Sequence, residues 1–222
     1  MNRHNTKRLT VSGIMLAMAT ALAAVMTLIP FFSQAFGGSF TFGSMLPIVV
    51  VSYLYGIKWG LFTSATYACI QIVMDLMLGK GSVILALFLP SSDGYMGAVA
   101  AISILVIDYL IAYTVLGLGG IFRKKIKSKA LSLSLGAAVA LSLRYLAHIV
   151  SGYIFYGSWA EWFFSEPEKA WIGESVLATF SGNTLALVYS VVYNGLYMIP
   201  EIVVTVILAV VLSRVPMVKI EE

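Results

Sequence analysis

Two runs, RYLAHIVSGYIFYGSW at residues 144–159 and LALVYSVVYNGLYMIPE at residues 185–201, flank a short acidic segment and decide how the rest of the chain reads. In the first, Arg144, His148, Gly152 and Tyr156 recur at steps of four, which puts all four on one slowly drifting helix face. In the second, Tyr189, Tyr193 and Tyr197 recur the same way, and Asn194 follows Tyr189 by five. Both runs are otherwise apolar. An ionisable or amide side chain is costly in hydrocarbon and persists where it faces a bundle interior, a partner or a water-filled space. The two runs therefore read as two walls of a ligand pocket inside a membrane.

Composition supports a membrane setting. Of 222 residues, 60% are apolar and 11% are charged, and the mean hydropathy is +0.94. So few charged residues cannot cover the surface of a water-soluble core of this size, so the apolar excess must be solvated by lipid. The net charge of +4 sits in short connections. With no basic helix or aromatic RNA-binding motif beside it, nucleic acid is not an expected partner. The single cysteine, Cys69, excludes an internal disulfide and a cysteine-clustered metal site, and reads as a small buried apolar residue.

Six apolar runs are long enough, or nearly so, for a hydrocarbon core of about 30 Å. They lie at 10–30, 44–56, 59–78, 97–121, 131–156 and 184–213. The expected fold is one all-α domain over 1–222, a bundle of six transmembrane helices. The first run is read as a true span and not a cleaved leader, because it is long and is followed by Pro30 and aromatic residues. The second is short, and the tight connection Tyr55-Gly56-Ile57-Lys58 predicts a helical hairpin with the third. Arg3, Lys7, Arg8, Lys58, the 123–129 basic run, Arg214 and Lys219 all fall on one side. The other side holds Lys80 and Lys169 among Asp93, Glu161, Glu166, Glu168 and Glu174. The positive-inside rule then predicts that both termini are cytoplasmic.

Two outward connections are unusual. Residues 34–44, QAFGGSFTFGS, combine Gly37, Gly38 and Gly43 with Phe36, Phe40 and Phe42, which suits a cap over a pocket. In the other, Val83 to Leu89 is too short to span and reads as an interfacial or re-entrant helix.

Candidate chemistry narrows quickly. The chain has two histidines and lacks the H-E-x-x-H, G-x-S-x-G and Walker A patterns, so neither an enzyme nor an ATPase is expected. Ser151 lies three residues from His148 with no third group to activate it. A binding function fits better. Tyr156, Tyr189, Tyr193 and Trp159 offer ring faces to a cation or an aromatic ligand. Asp108 offers an anionic acceptor, beside Tyr109, and Asn194 adds directional hydrogen bonds. Each has an alternative: the tyrosines as an interfacial belt, Asp108 as a structural pair with Arg144. Asp75 lies near a span end and reads as reaching water, and Glu201, after Pro200, as a hinge or helix contact. Ala17 and Ala21 form a small-residue pair on the first span where another helix can approach closely.

At these residues the sequence resembles the thiamine-specific S components of bacterial energy-coupling factor (ECF) vitamin transporters. The resemblance rests on GSFTFGSMLPI at 38–48, LYGIKWGL at 54–61, IDYLIAYTVLGLGGIF at 107–122, RYLAHIVSGYIF at 144–155 and YSVVYNGLYMIPE at 189–201. It implies six helices enclosing one thiamine near the outer face of a bacterial plasma membrane. It also implies assembly with a transmembrane coupling subunit and two ATPases, so that ATP is used by partners and the chain carries no cofactor of its own. The resemblance further implies thiamine contacts at Asp108, Tyr109, His148, Gly152, Tyr156, Tyr189 and Asn194, and a coupling-subunit contact at Ala17 and Ala21. Asp108 stands where the family pattern has glutamate, and Tyr156 where it has tryptophan. A second tryptophan of the family's first outer loop is replaced here by Phe40 or Phe42, and Trp159 or Trp162 can compensate for the smaller ring at Tyr156.

Overall fold

The computed structural model describes residues 3–27, 29, 38–77 and 82–215. Pro30, Gln34 to Gly37, Lys80 and Lys219, all used in the sequence reading, lie outside the described residues. The chain is helical in the order α1 (Arg3–Thr27), α2 (Leu46–Tyr55), α3 (Ile57–Met77), α4 (Val83–Phe88), α5 (Ala98–Ile104), α6 (Ala112–Thr114), α7 (Lys129–Phe155), α8 (Ala160–Ser165), α9 (Ala170–Thr179) and α10 (Gly182–Leu212). A π-helical segment, Leu105–Ile111, separates α5 from α6, and a 3-10 segment, Val115–Gly120, follows α6.

Among the described residues, five helical stretches are long and apolar enough to cross a membrane: Asn5–Met26, Ile57–Met77, Ala98–Gly120, Lys129–Phe155 and Gly182–Leu212. Their outward side chains, among them Ile14, Phe62, Val99, Leu146 and Ile207, are large, apolar and exposed, as a lipid-solvated bundle requires. Cys69 belongs to this outer surface. The expectation that it is buried is wrong, because its position on α3 turns it away from the core that Tyr67 and Ala68 enter.

α2 is the shorter apolar helix. Its ten residues rise about 15 Å, roughly half a bilayer core. Pro47 opens its first turn, and Gly56, at φ 91°, makes the sharp reversal into α3. The carbonyls at its far end are taken by Arg123, whose Nε donates to Tyr53 O at 2.8 Å and whose Nη2 donates to Leu54 O at 2.7 Å. A guanidinium thus closes the helix terminus. The basic run 123–129 reads in sequence only as an orientation signal, yet its first residue holds α2 in place.

Small residues bring α2, α7 and the 115–120 segment together. A Cβ on Gly120 would strike the Ser52 backbone, and one on Gly136 would strike the Gly119 carbonyl. Backbones at these crossings touch directly, which is how helices associate where lipid removes the hydrophobic drive. Ser52 seals the contact by donating to Gly117 O and accepting from Gly120 N. At the other end of α7, the 157–181 connection folds into α8 and α9, and Phe163 and Phe164 of α8 enter the main core.

Candidate functional site

Among the described residues, α7 packs extensively along α10, and polar bonds tie the two helices. Tyr145 Oη donates to Val191 O at 2.7 Å, Ser190 Oγ to Ile149 O at 2.7 Å, and Asn194 Nδ2 to His148 O at 3.2 Å. Gly152 allows this closeness, since a Cβ there would overlap Ser190 Oγ and lie 3.1 Å from Asn194 Nδ2. Asn194 also donates to Ser190 O at 2.9 Å and accepts from Tyr197 Oη at 2.7 Å. Its amide therefore binds α7 to α10 and orients Tyr197.

The ionisable residues meet on the α7 side of this seam. His148 Nδ1 lies 2.7 Å from Asp108 Oδ1, and Arg144 Nε lies 3.2 Å from His148 Nε2. One neutral imidazole tautomer satisfies both contacts, with Nδ1–H donating to the carboxylate and Nε2 accepting from the guanidinium. Ser151 Oγ donates to the second oxygen, Oδ2, of Asp108. Asp108 and Arg144 are thus joined through His148. The direct pair considered in the sequence reading does not form, because the imidazole at the intervening turn of α7 occupies the position between them.

Arg144 is buried in a mixed shell. Its guanidinium carbon stands 3.9 Å above the centre of the Tyr113 ring, and Nη1 meets Met45 Sδ at 3.0 Å. Tyr113 in turn packs edge-on against Tyr67 at 5.4 Å, and Tyr197 packs edge-on against His148 at 6.0 Å. The chain of cation, imidazole and carboxylate is therefore lined by aromatic rings. The Asp108 side chain keeps 18% of its surface against 9% for His148. Two bonds leave a carboxylate with acceptor capacity to spare, so Asp108 is the member of the chain able to receive a ligand donor or cation.

The π-helical turn explains how adjacent residues serve different neighbours. Asp108 reaches α7, while Tyr109 Oη donates to Asp75 Oδ2 at 3.1 Å. Such turns recur at functional sites because they redirect side chains within a helix. Asp75 also accepts from Ser82 Oγ and from Ile84 N, the latter at 3.0 Å. The reading of Asp75 as simply reaching water is incomplete, since it anchors the start of α4. Val83–Phe88 is helical, as its apolar run suggested.

The remaining candidates fall around this centre. Tyr156 ends α7 and packs at the meeting of the two apolar clusters. Tyr189 is buried with Tyr193 and Phe163 at ring distances of 5.5 and 5.3 Å. Trp159 packs on the main core and meets Trp162 edge-on at 6.0 Å. Phe40 packs on the same core and against Phe42 at 5.5 Å. Ala17 and Ala21 are exposed on α1, while Ala19 and Ala23 face inward. Tyr113 and Met45 were missed as neighbours of the charged chain, and Ser151, noted beside His148, was missed as a donor to Asp108. Ser151 was within reach of sequence reasoning, being one helical turn from His148; Met45 and Tyr113 lie on other elements and carried no local signal.

The chain matches the family described as thiamine transporter protein (Thia_YuaJ) over residues 13–102 and 84–165. It belongs to that family. A curated relative, the thiamine transporter ThiT of Bacillus subtilis strain 168, is 27% identical over 214 residues, covering 91% of this chain and 90% of the relative. The solved structure of ThiT from Listeria monocytogenes superposes with a TM-score of 0.56 at 19% identity, covering 92% of this chain and 96% of that one. The family resemblance noted from sequence therefore stands, and the helical fold of the described residues is shared with that solved structure. The chain is a multi-pass membrane protein of the bacterial plasma membrane, and a transport protein, not an enzyme.

Proposed function

We propose that this chain is the thiamine-binding subunit of an ATP-driven vitamin uptake system. The observation that carries the proposal is the Asp108 carboxylate, held by His148 and Ser151 with acceptor capacity left over, among aromatic rings inside the bundle of a thiamine transporter family member. Thiamine suits these groups. Its thiazolium is a permanent cation that calls for a carboxylate and ring faces, and its aminopyrimidine edge calls for directional donors and acceptors.

In this reading Asp108 balances the charge, His148 fixes the carboxylate, and Tyr156, Tyr189, Trp159 and Phe40 contribute stacking surface. Tyr109, Gly152 and Asn194 shape the walls. α2 and the 38–45 chain together make the sixth crossing, and both termini are cytoplasmic, following the basic connections at 58 and 123–129. The exposed Ala17 and Ala21 face receives a transmembrane coupling subunit, and two partner ATPases supply the energy, so the chain uses no cofactor of its own.

The test is thiamine binding to the purified, detergent-solubilised protein, followed by intrinsic tryptophan fluorescence with pyrithiamine and riboflavin as comparators. Saturable quenching by thiamine and pyrithiamine but not riboflavin is expected. A folded, monodisperse protein that ignores thiamine would overturn the substrate assignment.

A further inference from the structure

Glu201 is fully buried, yet it takes no part in the Asp108 chain. Its carboxylate reaches back across the sequence to the connection before α2, accepting from Thr41 N at 2.8 Å and Gly43 N at 2.9 Å. Thr205 Oγ1 lies 3.4 Å from the same group. The 38–45 chain is irregular, with Gly38, Phe42 and Gly43 all at positive φ, so it cannot satisfy these N–H groups within a helix. Irregular backbone at membrane depth persists only where protein supplies the missing partners. Here one carboxylate supplies two.

The same face of α10 grips the segment at three more places. Tyr197 lies under Gly38, and Leu208 and Thr205 lie under Gly43. Asn194, Tyr197, Glu201, Thr205 and Leu208 follow one another by three or four residues, so they form one stripe. The stripe starts at the α7 seam and ends beneath the connection. The gripped segment in turn touches the candidate site, since Met45 Sδ accepts from Arg144 and Phe40 packs on the core.

We propose that Glu201 is a positioning residue whose carboxylate pins the 38–45 chain into the bundle and thereby sets Met45 and Phe40 against the Arg144–His148–Asp108 chain. This rests on the thiamine-binding reading for its effect on ligand, but the pinning itself is independent of the ligand's identity. Glu201→Gln keeps the size and leaves one acceptor where two are needed, so one backbone N–H loses its partner. Glu201→Asp keeps both acceptors on a shorter arm.

The experiment uses a Cys69→Ser background, which removes the single cysteine, with Phe42→Cys carrying an environment-sensitive fluorophore. Thiamine affinity and dissociation are measured on the unlabelled full-length protein by equilibrium dialysis and filter release. Expected for Glu201→Gln are a shifted label emission without ligand and at least tenfold weaker thiamine binding through faster dissociation, with Glu201→Asp recovering part of both. Wild-type emission in Glu201→Gln overturns the proposal whatever the affinity. A shifted emission with wild-type affinity also overturns it, because Glu201 would then anchor the backbone without positioning the site. If the Gln variant does not fold, the Asp variant must show both changes, and wild-type values in it overturn the proposal. If wild-type protein ignores thiamine while the label shifts in Glu201→Gln, the pinning stands and the substrate assignment falls.

Discussion

Asp108 and Glu201 are both carboxylates inside the bundle, and their surroundings differ in a way that separates a binding group from a structural one. Asp108 accepts from two side chains, His148 and Ser151, and its side chain stays 18% exposed. Glu201 accepts from two backbone N–H groups and is 0% exposed. Backbone donors cannot move without moving the fold, so a carboxylate spent on them is committed. Side-chain partners can reorient, so a carboxylate held by them stays available. Arg123 and Arg144 repeat the contrast among the cations: Arg123 closes the end of α2 through two carbonyls, while Arg144 is held by an imidazole, a thioether and a ring face.

The largest expected effect breaks the structural side of the comparison. Glu201→Ala leaves two buried N–H groups unpaired, at about 1–3 kcal/mol each, so thermal unfolding in detergent should show a loss of about 2–6 kcal/mol. Asp108→Asn removes the charge from the binding side. A hydrogen bond to a charged group contributes about 1.5–3 kcal/mol, so thiamine affinity should fall roughly 10- to 150-fold while the ligand-free melting temperature stays close to wild type. If Asp108→Asn instead melts early and binds normally, the two carboxylates have been assigned the wrong way round.

Gly152→Ala sits between the two classes. Its Cβ would press on Ser190 and Asn194, an overpacking worth about 1–3 kcal/mol, so melting temperature and affinity should fall together. An unchanged melt would show that α7 and α10 have slack at this crossing. The smallest expected change is Tyr156→Trp. A larger ring face over a cation adds up to about 1 kcal/mol, so thiamine binding should tighten by up to about fivefold, read by titration against wild type. A weaker complex would place Tyr156 away from the thiazolium.

Much of the fold was legible because helix formation in a membrane is local. Each backbone N–H bonds within its own segment, so a run of apolar residues reports a helix without knowledge of its neighbours. The runs at 131–156 and 184–213 correspond to Lys129–Phe155 and Gly182–Leu212, and the step of four from Arg144 to Gly152 put its members on one buried face. Where the backbone leaves the α pattern, sequence reasoning went blind. The run at 97–121 looked continuous, yet it holds a π-helical turn that sends Asp108 and Tyr109 to different helices. Residues 157–181 read as an acidic connection, yet they form α8 and α9, and Phe163 of α8 packs on Tyr189 and Tyr193 of α10.

The sequence by itself determined that the chain is a helical membrane protein, where its long apolar helices run, and which of their faces carry the polar residues, because each of these depends on spacing within one helix. Only the tertiary structure decided which polar groups meet. His148 stands between Arg144 and Asp108 across 40 residues, and Glu201 reaches Thr41 across 160. Such pairings depend on how separate helices pack against one another, and that packing is a property of the whole bundle.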